Sequence, residues 1–278
     1  MTAVVTAPSA QSTEPDKRRV TQSRVIKSEF LKASTLRSTY IVLALAIAAM
    51  AGIGIIICWT TAMDWSHMRD RHRLHFNPLN DSLGGFELAQ LAIGVLGILL
   101  VGGEYSTGMI RASLSAVPKR LPMLWGKLVV FVTITLVTMI PSVLIAFFVS
   151  QKTLENTPIP IHVSWSTPTV PRIVIGTALY LTVIAAFSIG LATILRSIAG
   201  AIATLVGVII VLPAIASALP QTWGDRINKF LPSNAGQAIM SIQSDTQQMT
   251  PWRGLGLFAL YAVGVIAIGA VMLRRRDA

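Results

Sequence analysis

The sequence predicts an all-α, polytopic membrane protein with six transmembrane helices and both termini in the cytoplasm. Three observations carry that reading. Six mostly apolar runs are each long enough to cross a bilayer, which takes about 20 residues at ~1.5 Å of rise apiece. Charged residues make up 13% of the 278, about half the share found in a soluble domain. Lysine and arginine gather between the apolar runs instead of alternating with them.

Taken in order, residues 1–20 are polar and rich in Ser, Thr and Pro, with no apolar core of a cleavable signal. They read as a disordered cytoplasmic tail preceding a transmembrane domain over 21–278. In VTQSRVIKSEFLKAS, Val25, Ile26, Glu29, Phe30 and Leu31 mix apolar and charged positions at helical spacing. That suits a helix over about 22–36 lying in the inner headgroup plane. The spans follow at about 40–61, 83–103, 121–149, 173–195, 199–219 and 255–273. Pro141 and Pro213 fall inside the third and fifth, where neighbouring helices tolerate a kink. Glycines 52 and 54, 94 and 97, 264 and 269 read as close-packing positions.

Orientation follows from the basic residues. With the N-terminus inside, fifteen of the 23 lysines and arginines fall on the cytoplasmic side, from Lys17 through Arg276. The MRDRHR stretch of the first outer loop is the main dissent. A net charge of +11 would suggest nucleic acid in a soluble protein. Here the basic residues flank apolar spans, so membrane lipids explain it better and no nucleic-acid partner is expected. The single cysteine, Cys58, excludes an intrachain disulfide and reads as a small buried hydrophobe.

Between spans 2 and 3 the chain interposes GEYSTGMIRASLSAVPKR. Ser106 or Thr107 can cap a helix there and Pro118 can stop one. Ile110, Leu114 and Val117 fall at i, i+4 and i+7, one face of a short cytoplasmic helix. Such a ridge fits a groove on another protein or, equally, a lipid surface.

The pattern of this stretch resembles the membrane-spanning permeases of ABC-2 type ABC transporters. The residues that carry the likeness are Glu104, Tyr105, Gly108, Met109, Ile110, Arg111, Leu114, Pro118, Lys119, Arg120 and Lys127. The six-span layout and the preceding amphipathic helix extend it over residues 20–276. The resemblance implies that the insert is a coupling helix docking on a separate ATP-hydrolysing subunit. Glu104 and Arg111 would be polar contacts at its base, and Ile110 and Leu114 the ridge in the groove. Tyr105, Gly108, Pro118, Lys119 and Arg120 complete the implied site. It also implies a second permease copy or a sibling as partner, and a bacterial plasma membrane as the location.

The chain carries no GxxxxGK[ST] loop; its Gly126-Lys127 pair lacks the preceding glycine. ATP and Mg are therefore expected on the partner, with no cofactor and no catalytic residue in this chain. Glu87, near the outer end of span 2, is a candidate for the substrate path or a gate. Asp64, His67 and His75 could share a helical face, but interleaved arginines argue for a polar loop over a metal site. The segment 220–251 reads as a solvated connector with one interfacial helix, with Trp223, Ile227, Phe230 and Leu231 at the interface. Small outer loops favour export of a hydrophobic small molecule, antibiotic, lipid or peptide. The alternative is an ATP-independent channel or ion-coupled carrier, for which neither repeats nor mid-membrane charges are found.

Overall fold

The computed structural model describes residues 21–68, 73, 76–106, 120–156, 162–242 and 249–275. Everything it describes is helical or irregular, with no strand among the described residues. The chain begins with α1 (Gln22–Thr35), followed by span 1, α2 (Arg37–Asp64). A short α3 (Pro78–Ser82) leads into span 2, α4 (Phe86–Ser106). Spans 3 and 4 are α5 (Arg120–Glu155) and α6 (Thr169–Leu195). Span 5 is α7 (Ile198–Ser217). Two short helices, α8 (Gln221–Phe230) and α9 (Pro232–Gln237), precede span 6, α10 (Pro251–Arg275). Six helices are thus long and apolar enough to cross a membrane, in the order the apolar runs predict.

The spans depart from ideal helices in two places. In α2 the bonding widens to a π turn over Ala48–Gly52, and in α7 over Gly207–Val211. The second turn ends just before Pro213, whose missing N–H breaks the i→i−4 ladder there. In α5 the helix runs through Pro141, flanked by hydroxyls that bond within the helix. Thr138 donates to the Ile134 carbonyl at 2.8 Å and Ser142 to the Thr138 carbonyl at 2.6 Å.

Span 4 is the centre of the bundle. Two thirds of its most apolar window is buried, 67% against 17% for span 5. It packs on spans 2, 3 and 6. Its Tyr180 and Phe187 stack on Phe258 of α10, with ring centroids 5.6 and 5.8 Å apart. Small residues set the approach: a Cβ on Gly190 would meet the Ile266 backbone nitrogen at 3.0 Å. Of the six glycines singled out by sequence, Gly54, Gly94, Gly97 and Gly269 lie against neighbours, whereas Gly52 and Gly264 face open space. Cys58 is fully buried, its thiol 3.5 Å from the Ser82 hydroxyl.

The segment after span 5 corrects the expectation of a solvated connector. Residues Ser233, Ala235 and Gly236 of α9 and Ala238, Ile239 and Met240 after it are buried. The reason is a run of small residues: a Cβ on Gly236 would stand 2.6 Å from the rings of Tyr180 and Phe258. Only α8 keeps the interfacial character, with Trp223, Ile227 and Phe230 exposed.

Candidate functional site

Helix α1, the last turn of α4 and the first turns of α5 together form the basic end of the bundle. There α1 does not merely lie beside the spans; one face of it is buried. Val25, Glu29 and Ala33, spaced i, i+4 and i+8, point inward, while Phe30 and Leu31 are exposed. The contact with α5 is close because residue 126 is glycine. A Cβ there would stand 3.0 Å from Val25 Cγ1 and 3.4 Å from the Glu29 side chain. Gln22 Nε2 adds a hydrogen bond to the Pro122 carbonyl at 3.1 Å.

A burial of this kind strands a carboxylate unless it is paired. Lys127, the residue after that glycine, supplies the partner. Its Nζ lies 2.7 Å from Glu29 Oε2 and 2.7 Å from Glu104 Oε1. Lys32, one turn along α1, closes the arrangement at 2.9 Å from Glu29 Oε1 and 3.1 Å from Glu104 Oε1. Among the described residues, two carboxylates and two ammonium groups thus form a four-membered cluster joining α1, the end of span 2 and the start of span 3. Burial opposes charge on Lys32, but its hydrogen bond to Glu29 and the attraction of Glu104 and Glu29 prevail and raise its pKa above the ordinary 10.5.

Next to the cluster, Tyr105 is covered by the guanidinium of Arg196, 5.4 Å from its ring centroid. Arg196 caps the end of span 4 in the left-handed conformation, φ 52° and ψ 12°. The basic ends of spans 2, 3 and 4 and of α1 are therefore fastened together around the two points where the insert leaves and rejoins the bundle.

Of the predicted coupling residues, the structure brings Glu104 and Tyr105 into this frame. Arg120 opens α5. Gly108, Ile110, Arg111, Leu114, Pro118 and Lys119 lie outside the described residues. Among the described residues, Glu104 Oε2 is buried with no hydrogen-bond partner. Glu29 and Arg196 were not singled out by the sequence as site residues. The usable signal for Glu29 was an acid on the same helical stripe as Val25 and Ala33.

Glu87 occupies the first turn of α4, at the opposite end, and is exposed. It accepts a 2.9 Å hydrogen bond from Gln90 Nε2, and the buried Gln90 Oε1 accepts one from the Tyr180 hydroxyl at 2.6 Å. A cavity of ≈ 460 Å³ opens at the same end of the bundle, lined by Asn80, Phe86, Asp225, Asn228, Lys229 and Gln237 among others, but not by Glu87 itself. The described part of the first loop forms no metal-binding cluster; His72 and His75 lie outside it. No family model matches the chain, and no curated protein matches it significantly.

Proposed function

We propose that this chain is the permease subunit of an ATP-driven exporter of the ABC-2 type, coupled through residues 104–120 to a separate ATPase that holds the ATP and Mg. The observation that carries the reading is the four-membered ion cluster. A helix that transmits force from an ATPase needs both its attachment points tied to the same rigid frame. Glu104, two residues before the last described residue of span 2, and Lys127, seven residues after Arg120, are tied to each other and to α1. Movement of the insert would then move spans 2 and 3 and α1 as one unit. The spare oxygen of Glu104 stands ready for a donor from the insert or from the partner.

Within this reading, Glu87 and the cavity at the same end of the bundle belong to the outer part of the substrate path. Span 5, mostly exposed along Ile210, Val211 and Ile215, is available to a second permease copy. The apolar surface of the spans suits an exported hydrophobic molecule, lipid or peptide.

The test is affinity purification in mild detergent followed by mass spectrometry. The expected outcome is a co-purified chain bearing a phosphate-binding loop, lost when Ile110 and Leu114 are both changed to Asp. Purification without any ATPase, or unchanged ATP-coupled transport in that double variant, sinks the proposal in favour of an ATP-independent carrier.

A further inference from the structure

Between α1 and α5 runs a cleft of ≈ 450 Å³ that the ion cluster leaves untouched. One wall is Ser23, Ile26, Lys27 and Phe30; the other is the ridge Val129, Thr133 and Val137 with the residues beside it. Its lining is apolar but for the rim and two threonines, and Thr138 already donates its hydroxyl to its own helix. We propose that this cleft is a binding site for one anionic phospholipid, an acyl chain lying along Val129–Val137 and the headgroup at Lys27.

Depth is the first argument. Trp125, exposed one turn before Val129 and four residues into span 3, is a side chain of the kind enriched at membrane interfaces. From Trp125 to Val137 is about 18 Å of helix at ~1.5 Å per residue. Half a hydrocarbon core of ~30 Å is about 15 Å. The cleft therefore begins at the headgroups and ends near the midplane, the reach of a single acyl chain.

Charge is the second. Lys27 lines the rim and Arg24 lies one turn away on the same helix, both exposed. Neither makes an ion pair among the described residues, because the one acid of α1, Glu29, is held by Lys32 and Lys127. A lysine in the headgroup plane with no carboxylate selects an anionic headgroup over a zwitterionic one. The lipid would act as a wedge, holding α1 at the angle that presents Glu29 to Lys127. This inference stands whether or not the chain couples to an ATPase.

The full chain, purified in mild detergent, is exposed to equimolar dioleoyl phosphatidylglycerol and dioleoyl phosphatidylcholine, and retained lipid is counted by native mass spectrometry. The expected result is one retained molecule, with phosphatidylglycerol favoured about fivefold, as one lysine near an anionic surface implies. Lys27→Gln should abolish the preference while leaving a chain bound. Thr133→Trp, at an exposed position that fills the cleft, should abolish retention of both. Equal retention of the two lipids by the wild type overturns the site, as does a preference that survives Lys27→Gln. If Thr133→Trp fails to fold, the Lys27→Gln comparison decides alone.

Discussion

Span 2 carries a glutamate near each end, and the structure treats the two in opposite ways. Glu104 is buried and neutralised by two lysines, one from α1 and one from span 3. Glu87 is exposed, and the described structure gives it one hydrogen bond, from a carboxamide three residues on. The first belongs, among the described residues, to a set in which two acids face two lysines. The second can change partner or charge without leaving a buried ion unpaired. Position along one helix thus separates a residue that fixes geometry from one that can take part in events.

The largest way to break this contrast is at Lys127. Lys127→Met leaves Glu29 and Glu104 buried with only the half-exposed Lys32 between them. Removing one member of a buried pair costs about 3–5 kcal/mol. A large fall in thermal unfolding temperature in detergent is expected. Adding Glu29→Gln to Lys127→Met should recover part of the loss, because coupled positions are not additive. Equal losses from Lys127→Met and Glu87→Gln would erase the distinction between the two ends.

The next effect lies behind Glu87. Tyr180 is wholly buried and donates to Gln90 Oε1 at 2.6 Å. Tyr180→Phe leaves that oxygen without its donor, and an unsatisfied buried acceptor costs about 1–3 kcal/mol. Glu87→Gln, by contrast, should leave stability within about 0.5 kcal/mol, while lowering transport if Glu87 lines the substrate path. Measuring melting and transport on both variants separates the packing role of Tyr180 from the functional role proposed for Glu87.

These contrasts were unevenly legible in the sequence. Spans are local: a run such as YIVLALAIAAMAGIGIIICWTT announces itself by composition, and all six appear where expected. The frame at the basic end is not local. Glu29 and Lys127 meet across 98 positions of sequence, and nothing in either neighbourhood names the other. Lys127 and Glu104 could be singled out only through the resemblance, and Glu29 was read as part of a mixed surface helix. Gly126, noted in the sequence only because it precedes a lysine, is the position that lets α1 come close enough to pair. The burial of α9 escaped for a related reason. Its residues, PSNAGQ, are small and polar by composition, and it is their smallness against the Tyr180 and Phe258 rings that puts them inside. The π turns of α2 and α7 left no signal beyond Pro213.

The smallest expected effect sharpens the reading of the cluster itself. Lys32 is its most exposed member, with 37% of its side chain accessible, so it is the one whose proton can exchange with solvent while the fold is intact. Its folded pKa lies above the ordinary lysine value of 10.5: burial opposes the charge, but the hydrogen bond Lys32 donates to Glu29 and the attraction of both glutamates outweigh it. A raised folded pKa means the charged form is favoured by folding. The stabilisation is complete below about pH 10.5 and is lost as pH climbs through the higher folded value. Unfolding temperature should therefore fall over that alkaline window, after subtracting the slope of a Lys32→Gln variant. The same subtraction at pH 5–8 should give a constant offset and no slope, because Lys32 keeps its proton throughout. No slope above pH 10.5 would mean that Lys32 is solvated and that Lys127 alone balances the two carboxylates, whereas a slope near neutrality would mean that burial outweighs the glutamates and lowers the Lys32 pKa.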